Sequence, residues 1–169
     1  YVIKPDNEGS TIGLSVCESP EDLIEARQVS GAFSRLIFER FVLGRELTVG
    51  VLGDQVFPIV EIFPGHELYD YESKYTKGMS KYECPANLDD ALTMHIQDLA
   101  VKSMQSVGVQ VYGRVDFRLD PENQPWCLEI NTLPGMTETS LLPMGAVANG
   151  LSFPQLIDEI LKLSLKKYS

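Results

Sequence analysis

Seven apolar runs rich in Val, Ile and Phe, at 1–4, 12–17, 36–42, 46–52, 55–63, 111–119 and 126–130, are each bounded by Gly, Pro, Asn or Asp. Short runs punctuated in this way read as β-strands. Two of the connections are tight: Gly53-Asp54 suits a two-residue hairpin turn, and Asp120-Pro121-Glu122-Asn123 suits another turn. Parallel neighbours need a crossover of about a dozen residues or more, so these connections predict largely antiparallel sheet.

Helices are signalled at three places. Ser19-Pro20-Glu21-Asp22 offers a capping residue, proline at the first helical position and an acidic first turn, for a helix running to about Ser30. Over 89–106, Leu92, Ile96, Leu99, Ala100, Ser103 and Met104 recur at helical spacing and form a buried stripe. A last helix starts near Ser152 with Pro154 in its first turn, and Leu156, Ile157, Ile160, Leu161 and Leu163 cover its apolar side. Hairpins mixed with a few helices, without regular βαβ alternation, predict an α+β fold. Residues 64–81 and 132–143 fit neither element, and loops this long in a compact domain commonly carry function.

Composition excludes some functions. The 169 residues carry a net charge of -10, which opposes general nucleic-acid binding, and 44% hydrophobic residues suffice for a core. Cys17, Cys84 and Cys127 are odd in number, widely spaced and without a C-x-x-C pair. They suggest reduced core or pocket-wall residues, not a disulfide framework or zinc site. Without a run of about 18 apolar residues, no membrane partner is expected, and the location read is cytoplasmic. The opening Tyr1-Val2-Ile3-Lys4 lacks an initiator Met and reads as mid-strand, as in the later part of a longer protein.

Three constellations carry chemistry. Ile3-Lys4-Pro5 leads into Glu8-Gly9-Ser10-Thr11, placing a lysine at a strand end before a loop with glycine and hydroxyls. Such a loop can bring backbone N–H groups to phosphates, although taken alone the segment is more simply a surface hairpin. In the second, alternation puts Arg114 and Asp116 on one face of a strand, and Glu129 and Asn131 on one face of the next. Two carboxylates and an amide, without His or Cys, suit Mg²⁺ shared with phosphate oxygens. The alternative is two solvated faces with an ion pair, which makes a whole polar face opposite Leu128 and Ile130 accidental. In the third, Pro134-Gly135 follows these residues closely and offers backbone N–H groups to a developing oxyanion. Ser140 there is a candidate cap for the helix that follows.

Together, Lys4-Pro5-x-x-Glu8-Gly9-Ser10-x-x-Gly13, Gly113-Arg114-x-Asp116 and Leu128-Glu129-x-Asn131-Thr132-x-Pro134-Gly135-Met136-Thr137 resemble, in order, the motifs of the D-alanine–D-alanine ligases. Ile37 to Glu46 looks like that family's hinge, and Tyr69 to Tyr75 followed by Cys84-Pro85-Ala86 is similar to its mobile loop. The resemblance runs from residue 1 to the final helix. It implies an ATP-grasp fold with two lobes around a nucleotide cleft: residues 1–45 in the smaller lobe, 46–169 in the larger, and an N-terminal substrate domain outside this chain. It implies ATP contacts from Lys4, Glu8, Gly9, Ser10, Thr11, Glu39, Arg40, Val42, Glu46 and Lys74. Arg40 and Val42 replace commoner hinge residues, Glu39 meets adenine, and Glu46 meets ribose.

By the same resemblance, Asp116, Glu129 and Asn131 hold two Mg²⁺, for which Mn²⁺ can substitute. Arg114 and the Gly135 N–H stabilise a tetrahedral oxyanion; Ser140 and Leu141 position the second substrate. Ser10, Glu46 and Tyr75 latch the site. The implied reaction joins two D-alanines through an acyl phosphate, for peptidoglycan synthesis, in a full-length homodimer. The isolated piece is expected to be inactive. Another ATP-grasp carboxylate-amine ligase and a non-catalytic nucleotide-binding module are the competing readings.

Overall fold

The computed structural model describes residues 1–9, 11–29, 35–63 and 81–167. Its contacts divide the chain into two units, with Tyr1–Val42 in the first and Leu43–Phe63 and the described residues from Tyr82 onward in the second.

In the first unit, Val2–Pro5 (β1) pairs antiparallel with Ser15–Val16 (β2) on one side and Leu36–Glu39 (β3) on the other. Ile3 packs with Cys17, Leu36 and Ala26, the last from the helix Pro20–Val29 (α1). Alternation therefore turns Lys4 and Glu39 to the opposite face. The predicted start of α1 holds: Asp22 N donates to Ser19 Oγ at 3.2 Å, and Ser19 N and Glu18 N donate to Asp22 Oδ2 at 2.8 Å. Those amides, Glu18's foremost, hold the Asp22 carboxyl below its ordinary pKa. The strand expected over 12–17 is shorter, because two successive turns precede it. Ile12 N bonds Gly9 O at 3.0 Å and Leu14 N bonds Thr11 O at 3.2 Å, with Thr11 and Gly13 at positive φ.

The second unit is built on Arg45–Leu52 (β4). Gln55–Val56 (β5) returns on it through the predicted turn, where Gly53 takes φ 55°. Val60–Phe63 (β6) and Tyr112–Leu119 (β8) flank β4, Lys81–Glu83 (β7) lies outside β6, and Pro125–Asn131 (β9) lies outside β8. The run expected as one strand over 55–63 is two, separated at Pro58, which has no N–H to give a ladder. Asp120 organises the β8–β9 turn: its Oδ1 accepts from Glu122 N at 3.0 Å and Gln124 N at 2.8 Å, and its Oδ2 from Trp126 Nε1 at 2.9 Å.

One face of this sheet carries Leu47, Val49, Val51, Val115, Phe117 and Leu119. It is covered by Ile96, Ala100 and Met104 of the helix Asp90–Ser106 (α2), the stripe the periodicity predicts. On the other face, Leu52 and Phe57 meet Leu142 and Ala146 of the helix Leu141–Ala148 (α3) and Leu156 of the helix Phe153–Lys167 (α4). Helix α3 thus includes 141–143, which the sequence reading leaves in a loop. The apolar side of α4 is narrower than expected: Leu156, Ile160 and Leu163 pack, while Leu161 is 57% exposed.

Glu61 is buried among this core and is held by Arg45, whose Nε and Nη2 donate to its two oxygens at 2.7 and 2.6 Å. Arg45→Met leaves that carboxylate without its partner. It is expected to cost about 2–3 kcal/mol, measurable as a lower midpoint of chemical denaturation. Adding Glu61→Leu is expected to recover most of the loss, and an unchanged midpoint for Arg45→Met would contradict the assignment.

Candidate active site

The register of the second sheet gathers a polar cluster on the face that carries α3. Glu46 is opposite Arg118, Thr48 opposite Asp116, Asp116 opposite Glu129, and Arg114 opposite Asn131. Opposed residues point to the same side, so these side chains share one face. Toward Gly50 that face is closed by packing, since a Cβ there would lie 2.6 Å from Leu142 Cδ1 and 2.8 Å from Phe57 Cδ2.

A β-bulge is what completes the cluster. Phe117 is opposite Cys127, yet Asp116 is opposite Glu129, so Leu128 is the extra residue. An unbroken ladder would put Leu128 across from Asp116; the bulge puts a carboxylate there instead. Strand alternation predicts both Leu128 and Ile130 on the apolar side. Ile130 does pack against the core, whereas Leu128 is 38% exposed. Neighbouring Cys127 is likewise exposed, so it is not a core residue, and it is a free thiol.

Asp116 is the hub. Its Oδ1 accepts from Thr48 Oγ1 at 2.5 Å and Arg114 Nε at 2.8 Å, and its Oδ2 from Arg114 Nη2 at 2.8 Å and Asn131 Nδ2 at 2.9 Å. Asn131 Nδ2 also donates to Glu129 Oε1 at 3.1 Å. Burial works against the Arg114 charge, but its bonds to Asp116 and the charges of Asp116, Glu129 and Glu46 outweigh it and raise its pKa. The four residues singled out on these strands therefore do meet. Thr48 meets them too, through Asp116, while Arg118 lies on the same face beside Glu46; neither is among the residues expected there. Arg118 continues the alternation of Arg114 and Asp116, and Thr48 is the polar residue among apolar neighbours of β4, so both left a readable signal.

The donor set suits a hard divalent cation: two carboxylates and an amide, all oxygen donors once the Asn131 amide is turned to present Oδ1. Among the described residues no group of three or more His, Cys, Asp or Glu gathers as a metal site. A cation here would thus draw its remaining ligands from elsewhere, as Mg²⁺ does from substrate phosphates.

After β9, the loop carrying Gly135 folds back on the start of α3. Ser140 occupies the N-cap position, but its Oγ accepts from Thr137 N at 3.0 Å and bonds Thr137 Oγ1 at 2.8 Å instead of capping the helix amides. A Cβ at Gly135 would lie 3.0 Å from that Oγ, so glycine and serine are closely apposed. Leu141 opens α3.

In the first unit, Lys4 Nζ lies 2.9 Å from Glu39 Oε2, so two of the residues expected at ATP form an ion pair on the face of the small sheet opposite Ile3. Glu8, Gly9 and Thr11 lie in the loop after β1; Arg40 and Val42 follow β3. Ser10, Lys74 and Tyr75 fall outside the described residues. No described helix is long and apolar enough to cross a membrane.

Residues 1–162 match the family described as D-ala D-ala ligase C-terminus. The chain belongs to that family. A D-alanine–D-alanine ligase from Methylacidiphilum infernorum is 45% identical over 99% of this chain and 56% of its own length; one from Halalkalibacterium halodurans is 44% identical over 98% and 56%. The chain thus spans about half the length of these curated relatives. Among solved structures, the Bacillus anthracis D-alanine–D-alanine ligase superposes with a TM-score of 0.85 at 30% identity, covering 98% of this chain and 54% of that one. A VanG D-Ala:D-Ser ligase from Enterococcus faecalis gives 0.84 at 32% identity, covering 96% and 48%. The α+β, ATP-grasp expectation is met: this chain has the C-terminal fold of the D-alanine–D-alanine ligases.

Proposed function

We propose that this chain is the ATP- and metal-binding portion of an ATP-dependent D-alanine–D-alanine ligase. The observation that carries the reading is the Asp116 hub, which concentrates Arg114, Glu129 and Asn131 on one sheet face in a chain of this family. A relative from Bacillus anthracis has been solved in complex with ATP. Residues 1–45 contribute the smaller lobe and 46–169 the larger, and the first substrate is held by residues outside this chain.

In this reading the carboxylate of one D-alanine takes the γ-phosphoryl group of ATP, giving ADP and an acyl phosphate. The amine of a second D-alanine then attacks the acyl carbon, and phosphate leaves. Lys4 and Lys74 neutralise ATP phosphates, Glu8 to Thr11 cover them, Glu39, Arg40 and Val42 meet adenine, and Glu46 meets ribose. Asp116, Glu129 and Asn131 would hold two Mg²⁺, which supply charge neutralisation to the phosphates. Arg114 and the Gly135 N–H stabilise the tetrahedral oxygen, Ser140 and Leu141 receive the second carboxylate, and Ser10, Glu46 and Tyr75 close the site. In this reading the full-length protein is a cytoplasmic homodimer that supplies D-Ala-D-Ala for the cell wall.

The test is phosphate release from Mg-ATP by the full-length protein. Release is expected with D-alanine and not with L-alanine, and no release with any D-amino acid would overturn the reading. The likeness to a D-Ala:D-Ser ligase adds one arm: D-serine as second substrate is expected to be used less well than D-alanine.

A further inference from the structure

Arg118 lies in the middle of the second sheet but is not one of the residues assigned a role above. Its side chain is only 18% exposed, and it stands directly across β4 from Glu46, whose side chain is 12% exposed. Nη1 donates to the carbonyl of Gly44 at 2.9 Å, and Nη2 lies 4.0 Å from Glu46 Oε2. One planar guanidinium thus touches the backbone two residues before Glu46 and faces the Glu46 carboxylate itself. Gly44 is fixed from the same strand by sterics: a Cβ there would lie 1.9 Å from the carbonyl oxygen of Leu119. The segment that leads into β4 is therefore clamped onto β8 at two consecutive residues, 118 and 119.

We infer that Arg118 is a positioning residue for nucleotide recognition: by gripping Gly44 and facing Glu46, it fixes the Glu46 carboxylate as acceptor for the ribose hydroxyls of ATP. This rests on the assignment of Glu46 to ribose made above. Lysine could supply the charge but not both contacts, since its single ammonium lacks the fork that reaches Gly44 and Glu46 together. Glutamine could keep a donor for Gly44 while removing the charge.

The experiment measures the Kd of ATP and of 2′,3′-dideoxy-ATP for the full-length protein and its Arg118→Met, Arg118→Gln and Glu46→Gln variants. The parent is expected to prefer ATP. Glu46→Gln and Arg118→Met are each expected to weaken ATP about tenfold while changing dideoxy-ATP little, so that the preference collapses. Arg118→Gln serves if Arg118→Met does not fold, and is expected to lose most of the preference with Gly44 still held. If Glu46→Gln removes the preference and folded Arg118 variants keep it, the role of Arg118 is overturned and that of Glu46 stands. If Glu46→Gln itself leaves the preference intact, the ribose assignment fails and the inference with it. A purely structural arginine would weaken both nucleotides alike.

Discussion

Changing Asp116 to asparagine in the full-length protein is expected to cut ligase turnover about a thousandfold, while moving the unfolding midpoint far less. The substitution preserves shape, so packing on the sheet face is kept. What it removes is charge, and with it the ability to accept from every neighbour. Asp116 takes four hydrogen bonds on two oxygens, from Thr48, Arg114 twice and Asn131. An amide offers one oxygen and would turn an NH₂ toward donors. Arg114 keeps the charges of Glu129 and Glu46 nearby, so the fold retains compensation that the chemistry does not. Losing one anionic ligand at a phosphoryl-transfer centre is assigned about 4 kcal/mol of transition-state stabilisation, which corresponds to the stated factor. The check is D-alanine-dependent phosphate release at saturating Mg-ATP beside chemical denaturation of the same sample. Turnover within tenfold of the parent in a folded variant would remove Asp116 from the metal-binding role.

That hub was legible because strand alternation is a strict rule over short distances. Arg114 and Asp116, or Glu129 and Asn131, must share a face whatever the tertiary structure, and the four-residue turn between their strands made them neighbours. The bulge was not legible, since nothing in Cys127-Leu128-Glu129 announces which residue will be left unpaired. Its consequence is large all the same, because it decides whether leucine or glutamate faces Asp116. Pro58 did announce a break in the 55–63 run, but the apolar residues around it read as continuous strand. Ser140 shows a different limit. A serine before a helix has two uses for its hydroxyl, and the loop amide of Thr137 takes it here in preference to the helix. Leu161 marks a third, since helical spacing places it beside the packed stripe without fixing how wide the neighbouring surface is.

The signals that Arg118 and Thr48 left in the sequence acquire a meaning only through the register. An arginine two residues beyond Asp116 is, on the strand alone, one more charged side chain on a polar face. Once β4 is known to lie beside β8, it faces Glu46, and Thr48 falls against Asp116. Long-range pairing therefore turns three separate sequence features into one connected face, with Glu46, proposed to meet ribose, on the strand next to the one that carries Arg114 and Asp116.

Phe57→Ala is expected to produce the largest loss of stability in the second unit, about 3–5 kcal/mol, and to damage function at a distance. The ring is fully buried among Leu52, Leu142, Ala146 and Leu156, where it joins the sheet to α3 and α4. The surroundings have little freedom to collapse into the space it would leave. Its own backbone is tied by Phe57 N to Gly50 O at 2.9 Å and by Gln97 Nε2 to Phe57 O at 3.0 Å, and Gly145 of α3 lies against its Cβ. The cavity should therefore persist, and the full cost of lost contacts should be seen. Helix α3 begins immediately after Ser140, so loosening its seat also loosens the Gly135–Leu141 segment proposed to receive the second D-alanine. A raised KM for that substrate is expected in whatever fraction remains folded. Phe57→Leu, which refills most of the volume, is expected to recover most of both losses. A drop in the denaturation midpoint equivalent to less than about 1 kcal/mol for Phe57→Ala would mean that this cluster does not anchor α3, and that the second-substrate segment takes its position from elsewhere.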